Sequence, residues 1–167
     1  KKIREIENRI AEIKCIDVTG HSEHFEWNIN YSEIFHEKGG FDLVIGNPPY
    51  FSLDTTDFPF KNNLKKMFPE IFSSQGNIYF FFIKKSIDIL KKNGVLTFIN
   101  ENYYLSSKNA RLLREYLVEK TSILFLIDFR NVQLFESVNT LTLINSFRKA
   151  PPQACEVLSR IVADSVK

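Results

Sequence analysis

The stretch F41-D-L-V-I-G-N-P-P-Y-F51 sets the reading of the whole chain. Leu43, Val44 and Ile45 form a short unbroken apolar run, the pattern of a strand buried on both faces of a parallel sheet. The run stops at Gly46 and turns into Asn47, Pro48, Pro49 and Tyr50. Proline fixes φ and offers no N–H, so its carbonyl remains as an acceptor on a stiff frame. Ligands of open α/β sheets bind beyond the carboxyl ends of the strands, which is where this corner falls. It presents two acceptors, the Asn47 side-chain oxygen and the Pro48 carbonyl, beside the flat face of Tyr50. A planar ring with an exocyclic amino group suits that set: two N–H donors meet two oxygens while the ring stacks on the tyrosine. Hydrogen bonds that draw the amino nitrogen toward tetrahedral geometry make its lone pair more nucleophilic, so no strong base is needed before attack. A structural Pro-Pro turn with an Asn side-chain turn is the competing reading.

Outward from the corner, the pattern alternates strands and helices. K1-K-I-R-E-I-E-N-R-I-A-E-I13 places isoleucines at helical spacing among charges. H24-F-E-W-N-I-N-Y-S-E-I-F35 alternates Phe25, Trp27, Ile29 and Tyr31 with polar residues, which predicts a half-buried strand. The long segment 51–76 reads as a loop with a short helix near 63–68, and loops of that length are commonly functional. N77-I-Y-F-F-F-I-K-K-S-I-D-I-L90 carries a helical stripe (Tyr79, Phe82, Ile83, Ser86, Ile87, Leu90) and ends at K-K-N-G. V95-L-T-F-I-N100 predicts a buried strand, S106-S-K-N-A-R-L-L-R-E-Y-L-V-E-K-T121 a helix capped by Ser106 or Ser107, and S122-I-L-F-L-I-D-F129 another strand. N139-T-L-T-L-I-N-S-F-R-K149 alternates as a last strand, entered by a hairpin from N131-V-Q-L-F-E-S-V138, and the tail after Ala150, Pro151 and Pro152 reads as a short helix. The order favours an α/β sheet, mostly parallel, with right-handed crossovers.

Composition sets bounds. The 167 residues are 44% hydrophobic and 25% charged, with a net charge of +2, which suits one ordinary globular domain or part of a larger one. So small a positive balance permits a nucleic-acid partner without arguing for one. Cys15 and Cys155 stand apart, which excludes a disulfide framework and suggests a reducing compartment. No run approaches the 18 apolar residues of a membrane span. His21 and His24, with Cys15 upstream, fall short of a zinc ligand set and read as surface residues. Lys61, Lys65 and Lys66 could meet phosphates or lie on a solvated helix face. The chain does not begin with Met, which fits a piece of a longer protein and equally a trimmed one.

With these stretches in order along residues 25 to 149, the chain resembles S-adenosylmethionine-dependent amino-methyltransferases that carry an NPPY motif. The resemblance is strongest to the N6-adenine DNA methyltransferases of type II restriction–modification systems. FEWNINYSEIF, GGFDLVIGNPPYF, NIYFFFIKKSIDILKKNGVLTFI, ENYYLSSKNARLLREYL and LFESVNTLTLINSFRK carry it. The resemblance implies that Asn47 and the Pro48 carbonyl accept from the adenine amino group and that Tyr50 stacks on a flipped base. It implies that Phe135 also touches that base, and that Asn77 and Phe82 line part of the cofactor pocket. Core packing is the competing reading for Phe82 and Phe135. No metal is implied. The implied fold is a partial Rossmann-like methyltransferase sheet, mostly parallel with a final antiparallel strand, lacking the first strands.

The family's Gly-rich cofactor loop has no counterpart here: none of the six glycines forms G-x-G. The expected layout is therefore an N-terminal helix and link (1–24), the C-terminal portion of a catalytic domain (25–149) and a short tail (150–167). A cofactor-binding N-terminal half and a target-recognition domain would lie elsewhere. The expected partner is double-stranded DNA, the expected setting a bacterial or archaeal cytoplasm, and the chain alone is expected to be inactive. The strand ending in NPPY would expose an edge, shielded by HFEWNINYSEIF or by another copy of the chain. Methylation of a protein glutamine or an RNA guanine is the nearest alternative, and a non-catalytic module binding DNA or a partner subunit the more distant one.

Overall fold

The computed structural model describes residues 25–54, 61–130, 132, 141–152 and, as backbone, 158–161. The N-terminal helix, Cys15, His21, His24, Phe135, the hairpin and Cys155 lie outside the described residues. The chain divides into two compact units, Lys1–Glu33 and Ile34–Lys167.

The segment expected as a strand at 24–35 is helical instead: α1 spans Trp27–Asn30 and α2 spans Ser32–Lys38. Positions 25, 27, 29 and 31 also contain two i,i+4 pairs, 25/29 and 27/31, so the same pattern is compatible with a helix. Trp27 and Tyr31 stack with ring centroids 5.8 Å apart, while Phe25 meets Trp27 edge-on at 5.0 Å. Neither helix buries a residue.

The second unit is built on a five-stranded sheet in the order β1-β2-β4-β3-β5. The strands are β1 (Phe41–Gly46), β2 (Leu90–Glu101), β3 (Ser122–Asp128), β4 (Thr142–Arg148) and β5 (Leu158–Ile161). β1 runs parallel to β2 and β3 parallel to β5, while β4 lies antiparallel to both β2 and β3. Four strands thus share one direction and only β4 opposes them, in keeping with the alternating pattern of 139–149. Within the tail, expected as a short helix, Leu158–Ile161 is a strand that pairs parallel with β3.

Helix α3 (Lys61–Met67) interrupts the long loop, α4 (Tyr79–Ile89) crosses from β1 to β2, α5 (Tyr103–Ser106) and a 3-10 turn (Lys108–Ala110) follow β2, and α6 (Arg111–Lys120) leads to β3. Ser107 caps the 3-10 turn by accepting from the Asn109 N–H at 3.1 Å. Tyr79, Phe80, Ile83 and Ile87 of α4 and Leu113 and Leu117 of α6 pack with Leu96, Phe98, Leu143 and Phe147 of the sheet. Full burial of such side chains stabilises by roughly 1.5–3 kcal/mol each. Phe82, assigned to the α4 stripe by spacing, is 44% exposed, whereas Phe80 and Phe81 are buried.

The expectation that β1 is buried on both faces is also corrected. It is an edge strand, and Leu43 and Ile45 are 56% and 74% exposed. Its start is tightly placed. Gly40 has φ +132°, and a Cβ there would meet the Ile89 carbonyl oxygen at 2.6 Å. Only glycine lets β1 begin so close to the end of α4.

Candidate active site

The corner sits at the carboxyl end of β1, next to the carboxyl end of β2. Gly46 pairs with Phe98 across the ladder, and a Cβ at Gly46 would stand 3.3 Å from the Phe98 ring. Pro48 is buried, Asn47 and Pro49 are exposed, and Tyr50 is half-buried. The Tyr50 hydroxyl donates to the Ile99 carbonyl at 2.9 Å and also lies in hydrogen-bond contact with the Asn47 side-chain oxygen. Its ring meets Tyr79 edge-on, with centroids 6.1 Å apart. Burial, and then the nearby Glu101 carboxylate, raise the Tyr50 phenol above its ordinary value of 10.0, so it stays protonated.

The residues after the corner are stitched to the start of α4. The Leu53 N–H donates to the Gly76 carbonyl at 2.9 Å and the Ile78 N–H to the Phe51 carbonyl at 3.0 Å. The fully buried Leu53 and Ile71 anchor the two ends of the intervening segment. The long loop is therefore closed at its base, and Asn77 is carried up to the corner.

Beside the corner lies a cavity of about 610 Å³, lined among others by Tyr50, Ser52, Asn77, Glu101, Tyr103 and Ser106. The Asn77 amide N–H reaches the Glu101 carboxylate at 3.4 Å, and its side-chain oxygen accepts from the Tyr79 N–H at 3.3 Å. Glu101 is itself held in place: its main-chain carbonyl accepts from Asn100 Nδ2 at 2.7 Å and from the Tyr79 hydroxyl at 3.3 Å. Burial raises the Glu101 carboxyl above its ordinary value of 4.5.

Of the residues singled out from sequence, Asn47, Pro48 and Tyr50 form one corner, and Tyr50 and Asn77 meet at the cavity wall. Phe82 is not among the cavity's lining residues. Lys61 Nζ caps the Leu53 carbonyl at 3.3 Å, while Lys65 and Lys66 stay exposed. Glu101, Tyr103 and Ser106 were missed. The available signal was their position, just past the carboxyl end of the apolar run 95–100, where a second strand points at the same crevice. Among the described residues no cluster of His, Cys, Asp and Glu could hold a metal ion. No helix among them is long and apolar enough to cross a membrane.

This arrangement of sheet, crossover helix and corner matches part of the fold of S-adenosylmethionine-dependent methyltransferases. A protein assigned to class I of these enzymes, from Listeria monocytogenes, superposes with a TM-score of 0.59 at 22% identity, covering 74% of this chain and 37% of its own. The restriction–modification enzyme MmeI, solved with DNA, gives 0.61 at 18% identity, over 81% of this chain and 18% of its own. Residues 1–135 match the Eco57I restriction-modification methylase model, and the chain belongs to that family. The type II methyltransferase M.HincII of Haemophilus influenzae is 33% identical over 116 residues, 68% of this chain and 23% of its own length. RM.Eco57I of Escherichia coli, a restriction enzyme and methyltransferase, is 32% identical over 104 residues, 61% of this chain and 10% of its own length. The chain thus spans less than a quarter of either curated relative.

Proposed function

We propose that the chain carries the methyl-accepting corner of a DNA adenine-N6 methyltransferase of a restriction–modification system. The observation that carries this reading is the contact of the Asn47 side-chain oxygen with Tyr50, whose ring lines a cavity large enough for a nucleobase. The Asn47 oxygen, although in contact with the Tyr50 hydroxyl, has a second lone pair for an amino proton. The Pro48 carbonyl takes the other proton, and the Tyr50 ring supplies the stacking face for a base drawn out of duplex DNA. Phe135 is proposed as a second aromatic contact to that base.

S-adenosylmethionine, when bound, supplies the methyl group. The cavity wall suits it on charge grounds, because Glu101 and Asn77 offer a carboxylate and an amide to a cationic sulfonium. Asn77 is proposed as the residue of this chain that holds part of it. Phe82, 44% exposed, could contribute only from outside the cavity. The remaining cofactor contacts and the choice of DNA sequence belong, in this reading, to other parts of a longer protein, and the chain alone is inactive.

Asn47→Ala tests the reading in a full-length enzyme containing the chain. Methyl transfer to a cognate duplex falls by at least about 100-fold, the scale of losing an oriented contact at a reacting group, while DNA binding by gel shift is retained. Transfer at the wild-type rate removes Asn47 from the role.

A further inference from the structure

Glu101 lines the cavity with no cationic side chain to balance it among the described residues. Its neighbours there are amides, hydroxyls and phenols, and no salt bridge reaches it among the described residues. An unpaired, half-buried carboxylate is costly, so the site tolerates a penalty that an amide would not carry. The chemistry proposed for the corner gives that carboxylate a use. Methyl transfer to a neutral amine leaves the nitrogen with a positive charge and one proton too many. The Asn47 and Pro48 oxygens can hold that proton in a hydrogen bond but are far too weakly basic to remove it. The Ser52 and Ser106 hydroxyls and the Tyr50 and Tyr103 phenols are no better. Among the described residues the Glu101 carboxylate is the one base on this wall.

Building on the corner reading above, we propose that Glu101 is the proton acceptor of the reaction. The new bond joins the methyl carbon to the exocyclic nitrogen as the carbon–sulfur bond of the sulfonium donor breaks, its electron pair staying on a neutral thioether. One N–H bond of the methylated ammonium then breaks. Its electron pair returns to the nitrogen, and the proton passes to the Glu101 carboxylate directly or through one water. Half-exposed, Glu101 releases it to solvent between turnovers.

The surroundings favour this role. Burial makes the carboxyl more basic than an exposed glutamate. The titratable groups facing it are Tyr50 from the corner, Tyr79 from α4 and Tyr103 from α5, all phenols. Asp128, at the end of β3, lies 3.3 Å from the neighbouring Asn102 amide. The carbonyl contacts from Asn100 and Tyr79 fix the backbone from which the side chain reaches into the cavity.

The test uses Glu101→Gln, which keeps the shape and removes the basicity. In a full-length enzyme containing the chain, single-turnover transfer is followed against pH, with 2-aminopurine at the target position in parallel duplexes to report base extrusion. The expected result is a rate about 100-fold lower near neutral pH, loss of the acid limb expected of the wild type, and unchanged 2-aminopurine fluorescence. A wild-type rate with an unchanged acid limb overturns the assignment. In the chain itself, the folded carboxyl titrates above 4.5, so its charge weakens folding once the pH rises past that value. Glu101→Gln therefore raises the thermal midpoint near pH 7 and leaves it unchanged near pH 3; equal midpoints at both overturn the placement of an ionised carboxylate in the cavity. Asn47→Ala run alongside separates the failures. If it retains transfer, the corner reading falls; if it loses transfer while Glu101→Gln behaves as wild type, only the proton assignment falls.

Discussion

The two faces of the sheet are finished differently. On one, Leu96 and Phe98 of β2 and Leu143 and Phe147 of β4 are buried under α4 and α6. On the other, Leu43 and Ile45 of β1 are mostly exposed, and Ile99, Ile127 and Ile144 are only half-buried. Their registers align: Leu43 pairs with Val95, Ile45 with Thr97, and Ile144 with both Ile99 and Ile127. The difference locates stability. The helix-covered face carries the core, and the open face offers apolar surface on β1, the first strand of the sheet order.

The comparison can be broken most sharply at Phe80, which is fully buried. Phe80→Ala should cost about 3–5 kcal/mol in urea unfolding of the chain. A smaller loss would mean that the core does not rest on α4.

The next effect lies at the margin of the covered face. Lys84, its side chain 10% exposed, bridges Glu70 at 2.9 Å and Asp88 at 2.7 Å and sits 5.1 Å from the centre of the Tyr116 ring. Lys84→Ala should cost about 1–3 kcal/mol, the scale of lost charged hydrogen bonds. Burial opposes charge on both Lys84 and Glu70, but their pairing wins: the lysine is raised above 10.5 and Glu70 lowered below 4.5. The Glu70 contribution is therefore present above pH 4.5 and disappears as the pH falls through the lower folded value. The gap between the unfolding curves of wild type and Lys84→Ala should narrow in that acid range as the Glu70 contribution is lost.

The smallest change in stability belongs to the open face. Ile45→Lys, at a position 74% exposed, should alter stability by no more than about 0.5 kcal/mol. If this edge draws copies of the chain together, the same substitution lowers the sedimentation-derived association at high concentration. A large loss of stability would show instead that Ile45 is covered.

What the sequence discloses follows the range of the interactions involved. The corner at 46–50 was legible because glycine, asparagine and two prolines fix a backbone locally. Helix α4 was legible because Tyr79, Ile83 and Ile87 repeat at helical spacing, although the same spacing placed Phe82 on the wrong side. Exposure of β1 was not legible: an apolar run looks the same at the edge of a sheet as at its centre, and only the strand order tells them apart. At 25–31, period two was compatible with a helix once Trp27 and Tyr31 stacked one turn apart. Residues 158–161 became a strand because β3 offered a partner that no local pattern announces. Glu101 was missed because its neighbours Tyr50 and Asn77 are 51 and 24 residues away in sequence, so no motif brackets it.

The position of β4 constrains how the molecule can be made. β3 has no hydrogen bonds to β1 or β2; it joins the sheet only through β4, which arrives later in the chain and is inserted between β2 and β3. At that seam Asn145 donates to Asn100 at 2.5 Å across the β2–β4 pair, and both are fully buried. A slipped register would strand two amides in an apolar layer. During synthesis, then, the sheet stays in two pieces until residues 142–148 leave the ribosome, and the corner at 46–50 waits on a strand nearly a hundred residues downstream to become part of one sheet.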